Sequence, residues 1–291
     1  MTPATFAYTR AGTVDEALDL IAGGDPSVRI LAGGQSLIPL MKLRLARPER
    51  LVDVGRIGDL RGIRDLSGGG LAIGALTTWA ALLEDPRVRE YGALADALPV
   101  IGDVQVRNRG TIGGSLAHAD PASDIAAPVL ALQMELIARS AARGERAIAV
   151  REFFAGAFAT ALQPDEMLLE VRISAAGRSN TGRSEASAYV ALPQPASGYP
   201  IAGVAVSLTR SPSGSGLSGC VIGVTGVGEQ PYRAGDVERA GLAGTPFADA
   251  ARTIAAGQRV ASDIHADRDY RTAMAVVMAR RAFEEAVARL G

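Results

Sequence analysis

An α+β chain in two parts is what this sequence predicts, and three observations predict it. Strand-length apolar runs alternate with helical spacing through the first 175 or so residues. A polar, glycine-containing stretch at 175–186 then interrupts the pattern and reads as a boundary. Beyond it come three strand-length segments, 187–192, 201–209 and 217–227, and two helical ones near 246–257 and 270–289. The parts are expected to span 1–176, itself divided into 1–56 and 57–176, and 185–291.

In order along the chain, residues 13–23 read as a helix. Thr13 and Glu16 form a capping box, and Val14, Ala17, Leu18 and Ile21 recur at helical spacing. Residues 28–31 read as a short buried strand, 37–45 as a short helix and 51–54 as another strand. A second region starts with a strand at 71–75 and a helix from Thr78 into Leu83. Helical character returns at 91–98, and 125–134 is apolar enough for a buried helix. Strands are expected at 135–138, 147–150 and 167–173, the last with alternating polarity. In the last helix Ala273, Val276, Val277, Arg280 and Phe283 give one largely apolar face. No internal repeat is visible.

Composition narrows the function. The chain has 291 residues, 48% of them apolar, enough for a sizeable core. It carries 30 basic and 31 acidic residues and a formal net charge of -1, so no basic face for nucleic acid is implied. Lys42 is the only lysine, a bias towards arginine that reads as codon usage. No apolar run is long enough for a membrane span, and the first eight residues lack a signal-peptide pattern. A soluble cytoplasmic protein is expected. Cys220 is the only cysteine, which excludes a disulfide and an iron–sulfur cluster ligated within this chain. With only His118 and His265, a multi-histidine metal site is excluded as well.

Two segments stand out: Ala32-Gly33-Gly34-Gln35-Ser36 and Thr111-Ile112-Gly113-Gly114-Ser115. Each sets adjacent glycines beside small hydroxyl residues. Glycine permits φ > 0 and lets another group approach without a Cβ in the way. Two such loops in one domain can aim several N–H donors at a diphosphate. The first alone also fits a plain tight turn. Around the second runs a long polar stretch, from Gln105 to Asp124, between apolar flanks. A G-x-G-x-x-G match also exists at Gly214, Gly216 and Gly219, but it lies in a Ser/Pro/Gly-rich stretch and leads into a strand. A dinucleotide fingerprint must instead follow a strand and open a helix, so this match reads as a hairpin loop. No Walker A sequence is present.

The stretches "ILAGGQSLIPLMKLRLARP" and "QVRNRGTIGGSLAHADPASD", with "SDIHADRDYR" near the C-terminus, closely resemble the FAD-binding medium subunits of the molybdenum hydroxylases. That family includes carbon monoxide dehydrogenase, quinoline oxidoreductase and xanthine dehydrogenase. The resemblance spans essentially the whole chain. It implies a two-subdomain FAD-binding domain of the vanillyl-alcohol-oxidase-like type. It also implies a C-terminal domain with a three-stranded antiparallel sheet and helices.

The resemblance implies roles residue by residue. Ala32, Gly33, Gly34, Gln35 and Ser36 would wrap the FAD diphosphate, mainly through backbone N–H groups. Thr111, Gly114 and Ser115 would hold it from the other side, with His118 beside it. Each charge-assisted hydrogen bond of this kind is worth roughly 1.5–3 kcal/mol, so several retain FAD without a covalent link. A carboxylate repels a diphosphate, so Asp124 needs a donor such as a sugar or ribityl hydroxyl; it reads equally as the N-cap of the following helix. Ile30, Leu31, Ile101 and Leu168 are candidate apolar walls for the flavin ring, or ordinary core. Gly102 would give close backbone approach. Tyr199 matches a position where an aromatic side chain covers one flavin face. Many relatives carry a basic "RKGDY" version of that segment, whereas residues 194–199 here hold no basic residue.

No residue is marked as a nucleophile or general base, which fits chemistry carried by a cofactor. By resemblance, substrate is hydroxylated at molybdopterin on a large partner subunit. Electrons then pass through [2Fe–2S] clusters of a small partner subunit to FAD here, and on to an external acceptor. The single cysteine fits clusters held elsewhere and argues against the branch with an extra cluster in its flavin subunit. A stand-alone FAD-dependent oxidase or reductase and a flavin-free assembly protein are the alternatives.

Overall fold

The computed structural model describes residues 2–176, 178, 184–212 and 216–290. The N-terminal unit runs β1 (Ala7–Arg10), α1 (Val14–Ile21), β2 (Val28–Leu31), α2 (Leu37–Lys42), β3 (Arg50–Asp53). Its three strands are parallel in the order β1-β3-β2. The capping box forms: Thr13 accepts from the Glu16 amide, and Glu16 accepts from the Gly12 amide. Helix α2 stops three residues short of the expected 45. Arg44 takes a left-handed φ of 60°, and the Leu45 amide reaches back to the Leu40 carbonyl at 2.9 Å. This is the geometry that closes a helix on its own last carbonyls.

The middle of the chain runs β4 (Ile63–Asp65), β5 (Leu71–Gly74), α3 (Trp79–Glu84), α4 (Pro86–Arg89), α5 (Gly92–Ala97), α6 (Val104–Arg109), α7 (Ile112–His118) and α8 (Ala126–Ala131). It continues with β6 (Glu135–Ser140), β7 (Gly144–Ala149), β8 (Phe154–Gly156), β9 (Ala159–Thr160) and β10 (Met167–Ile173). An antiparallel sheet in the order β4-β5-β10-β6-β7 backs these helices, with β8 and β9 as a separate hairpin. The helices α6 and α7 correct the sequence reading, which takes the second glycine segment as a loop within a long polar stretch. Asp103 caps α6 by accepting from the Val106 amide at 2.8 Å. Thr111 caps α7 by accepting from the Gly114 amide at 3.1 Å. The second glycine segment is therefore the first turn of a helix.

The last part holds β11 (Glu185–Pro193), β12 (Pro200–Arg210), β13 (Leu217–Thr225), β14 (Tyr232–Arg233), α9 (Gly235–Leu242), α10 (Phe247–Ala250) and α11 (Arg268–Leu290). The three long strands form the expected antiparallel sheet, and the two-residue β14 extends its edge. Helix α9 has few apolar residues and was not visible as a pattern. The G-x-G-x-x-G match falls on the β12–β13 hairpin, although residues 213–215 lie outside the described residues, as do 177 and 179–183 of the polar stretch. Among the described residues no helix is long and apolar enough to cross a membrane.

Three apolar clusters form the core. One joins α1, β3 and Met167, a second fills the middle, and a third lies between the last sheet and α11. The middle cluster also takes in Tyr189 of β11 and Ala205 of β12, so α8 packs directly on the last sheet. That contact needs a glycine: a Cβ on Gly223 of β13 would overlap the Ala127 carbonyl oxygen. Gly223→Ala is accordingly expected to lower the stability of the chain by about 1–3 kcal/mol, read as a lower midpoint in urea with an unchanged slope.

Candidate functional site

The first glycine segment leaves the C-terminal end of β2 and enters α2. Gly34 has φ +77°, a conformation only glycine adopts without strain. Among the described residues, the amides of Gly33, Gly34, Gln35 and Ser36 donate to no protein acceptor, and the Ser36 side chain makes no cap bond. Four consecutive free donors ahead of a helix form a concave, electropositive backbone surface.

The second segment lies against the first. A Cβ on Gly33 would overlap the Arg109 carbonyl, with the Gly110 Cα also at 3.0 Å. A Cβ on Gly114 would stand 3.6 Å from the Ala32 Cβ, so the Gly114 face of α7 looks onto the first segment. The end of α7 is pinned from behind. Gly113 donates to the Ala75 carbonyl at 2.9 Å, and a Cβ there would meet the Ala75 Cβ at 2.5 Å. The amides of Gly114 and Ser115 already bond to Thr111. This half therefore offers the Thr111 hydroxyl and a smooth glycine face rather than free amides. The Ser115 hydroxyl pairs with that of Ser123 at 3.1 Å.

Helix α7 ends on Ala119, whose φ of 51° turns the chain sharply towards Asp120–Asp124. His118 is half-buried, its ring 5.1 Å from that of Phe158. Burial pushes its imidazole below the usual value, against the pull of Asp120, which favours the neutral ring. Asp124 is 7% exposed. Its Oδ1 accepts from the Tyr189 hydroxyl at 2.7 Å. It caps no helix, since Ile125 takes the N-cap position of α8. Burial pushes its carboxyl up to about 7, partly offset by the Tyr189 hydrogen bond.

Tyr199 follows the tight turn of the β11–β12 hairpin, where Gly198 has φ +78°. The ring is 48% exposed. Its phenol is pushed up by burial and by the carboxylates of Asp120 and Asp124, which places it at the same end of the molecule. The neighbouring strand end is tied to the Asp120–Asp124 loop: Gly226 and the Thr225 hydroxyl, at the end of β13, both donate to the Pro121 carbonyl, at 2.8 Å each. Arg271 of α11 donates to the Ile201 and Gly226 carbonyls at 2.9 and 2.6 Å.

Ile30, Leu31 and Ile101 are half-buried. Gly102 has φ +51°, and the carbonyls of Ile101 and Gly102 both accept from Arg107. Leu168 is 5% exposed and lies within the core cluster on which Ile101 packs. Sequence reasoning missed Tyr189, Ser123 and Phe158, since nothing local marks them as neighbours of Asp124, Ser115 and His118.

Residues 4–175 match the FAD binding domain in molybdopterin dehydrogenase, and residues 187–286 match the CO dehydrogenase flavoprotein C-terminal domain. The chain belongs to the FAD-binding medium subunits of the molybdenum hydroxylases. It is an oxidoreductase subunit with FAD as its cofactor. The carbon monoxide dehydrogenase medium chain of Hydrogenophaga pseudoflava is 37% identical to this flavin subunit, over 99% of each chain. The glyceraldehyde dehydrogenase medium chain of Sulfolobus acidocaldarius is 34% identical over 98% of this chain and 99% of its own. Among solved structures, a chain of a Cu,Mo-CO dehydrogenase in its cyanide-inactivated form superposes with a TM-score of 0.92 at 36% identity, covering 99% of this chain and 100% of that one. Quinoline 2-oxidoreductase from Pseudomonas putida 86 gives 0.86 at 29% identity, covering 99% of both chains.

The glycine cradle fits the diphosphate of FAD, because its free amides and missing side chains suit an anionic group that approaches the backbone closely. The raised Asp124 carboxyl carries a stability consequence. A carboxyl raised from about 4 to about 7 costs stability as pH climbs through that window, since the fold holds the proton that the unfolded chain releases. Asp124→Asn keeps an acceptor for Tyr189 and removes the charge. The FAD-free variant is expected to melt above the wild type at pH 8 and together with it at pH 4. Equal gaps at both pH values would contradict this assignment.

Proposed function

We propose that this chain binds FAD between its two glycine segments and relays electrons as the flavin subunit of a three-chain molybdenum hydroxylase. In this reading electrons come from [2Fe–2S] clusters of a small partner chain and leave to an external acceptor. A large partner chain holds the molybdopterin. The single observation that carries it is the meeting of the segments, with four unengaged amides at Gly33–Ser36 directly following Ala32, whose Cβ lies against the bare Gly114 surface. The names of the relatives support the partners, since a medium chain implies a larger and a smaller one.

Bound there, the flavin supplies the redox exchange, and the protein supplies grip, orientation and shielding. The amides of Gly33, Gly34, Gln35 and Ser36 bind the diphosphate, joined by the hydroxyls of Ser36, Thr111 and Ser115. His118, whose burial favours the neutral ring, donates one N–H to the diphosphate. Asp124 accepts from a hydroxyl of the cofactor. Ile30, Leu31 and Ile101 wall the ring, with Leu168 in the core beneath Ile101, and Gly102 admits close approach. Tyr199, on its exposed hairpin, covers one face of the ring. No cation stands at residues 194–199, so this chain makes no basic contact from that segment.

FAD is held without a covalent bond. Cys220 is buried in β13, and burial beside Glu238 pushes its thiol up to about 12, so no thiolate is available. Acid precipitation is expected to release all the flavin into the supernatant.

The decisive experiment is an absorption spectrum of the full chain after incubation with FAD and desalting. Wild type and Gly114→Ala are expected to retain flavin, and Gly114→Asp to lose it. Both variants add the same Cβ against Thr111, but only the second puts a carboxylate into the gap. An acid at this position in the first turn of α7 suits the helix, so the loss reads as repulsion of the diphosphate. Retention by Gly114→Asp, or none by the wild type, would sink the proposal.

A further inference from the structure

Asp124 has one carboxylate oxygen engaged and one open. Oδ1 accepts from Tyr189 at 2.7 Å, and among the described residues no other residue's side chain or amide donates to Oδ2. Among the described residues, the one buried side-chain nitrogen or oxygen without a partner is Arg271 Nε. Oδ2 is therefore not sealed in the protein, although the residue as a whole is buried. A buried carboxylate with an open oxygen beside an anion-binding cradle calls for a neutral hydrogen-bond donor, because a second anion is repelled and water is largely excluded.

The donor on Oδ1 is itself fixed. The Tyr189 hydroxyl lies over Gly203 of β12, where a Cβ would stand 2.5 Å from it. The Tyr189 amide donates to Asp96 Oδ2 of α5 at 2.9 Å. Arg289, near the end of α11, grips both oxygens of Asp96 at 2.8 and 2.9 Å and also donates to the Ser187 carbonyl at 2.7 Å. A bidentate pair of this kind fixes direction as well as distance. The chain of contacts runs from the C-terminal helix, across α5 and β11, to the site carboxylate.

We propose that Tyr189 is a positioning residue of the cofactor site: its hydroxyl holds Asp124 so that the open oxygen meets a hydroxyl of FAD, and Asp96 with Arg289 holds Tyr189. This rests on the reading that FAD binds between the glycine segments. Tyr189 touches no cofactor atom itself; it acts through Asp124.

The electrostatics support the same arrangement. Tyr189 of β11 and Tyr199 of the hairpin are the titratable groups that feel the Asp124 charge, and both phenols are pushed further up. Both stay protonated through the neutral range. The neighbouring titratable groups are Asp120 and His118, whose burial favours the neutral imidazole. An ionised Asp124 accepts from both hydroxyls at once, so FAD affinity is expected to rise with pH through the Asp124 titration, with proton release on binding.

The test is FAD titration of the full chain by fluorescence between pH 5 and 9, for wild type, Tyr189→Phe, Asp124→Asn and the double variant. Tyr189→Phe is expected to weaken binding about tenfold or more at pH 8. It should also move the inflection to higher pH, because the donor that favoured the ionised carboxyl is gone. A loss of packing alone would leave the inflection in place. In the double-mutant cycle the two losses should not add. If Tyr189→Phe fails to fold, Arg289→Lys carries the test, with a severalfold loss and the same direction of shift expected.

Wild-type affinity and inflection in Tyr189→Phe, or strictly additive losses, would overturn the positioning role and leave the cofactor reading standing. Wild-type affinity in Arg289→Lys would overturn it where the phenylalanine variant fails to fold. Absence of FAD binding by the wild type across the whole pH range would overturn the cofactor reading and this role with it.

Discussion

The backbone of the first glycine segment rests directly on the backbone of the second, and the site depends on that contact. Gly33 sits where any Cβ would overlap the Arg109 carbonyl. The segments belong to different units, one leaving the parallel sheet at β2 and the other starting α7 beside β5. Their approach is therefore a packing result between two sheets. Gly113 repeats the device one layer deeper, where it lets α7 press on Ala75. With both backbones at contact distance, the amides of Gly33–Ser36 have no protein acceptor within reach, and the face opposite them carries no side chain. Most buried or half-buried amides find partners within the protein, and Gly33, Gly34 and Ser36 are half-buried without one, which leaves donors for a bound anion.

Much of this was legible locally. The capping box of α1, the strand runs of β2, β3 and β10, and the three long strands of the last sheet each follow from periodicity over a few residues. The two glycine segments were legible as candidates because adjacent glycines with hydroxyl neighbours have few structural uses. What was not legible is instructive. Gly113 and Gly114 argue against a helix on propensity, at about 1 kcal/mol each, yet they open α7. The Thr111 cap and the close approach to Ala75 outweigh that cost, and the second of these comes from residues almost forty positions away. Helix α6 was hidden for a related reason, since its exposed polar residues read as a ligand loop. The partner of Asp124 lies 65 residues along the chain, and no local signal points from one to the other.

Asp124 is where the chain departs furthest from what stability favours. Burial pushes its carboxyl up to about 7 even with the Tyr189 hydrogen bond in place, and an apolar residue or an amide would sit there more comfortably. Tyr189 offsets part of that cost with one hydroxyl and leaves the second oxygen open. A chain selected for stability alone would close that oxygen as well. Departures of this kind concentrate at functional sites, where a group is kept under-satisfied for a partner outside the chain.

The same carboxylate lies at the junction of the chain's two parts. Its loop is tied to β13 by the Pro121 carbonyl, and its hydrogen-bond partner is tied through Asp96 to the end of α11. A ligand that meets Asp124 therefore touches a group held from both sides of the α8–sheet interface. Tightening that hydrogen bond favours the docked arrangement of the two parts, and docking in turn presents the open oxygen. In the proposed role, binding and the packing of α8 on the last sheet are linked through a single carboxylate, and Arg289, far along the sequence from either glycine segment, acts on the site through the phenol that aims it.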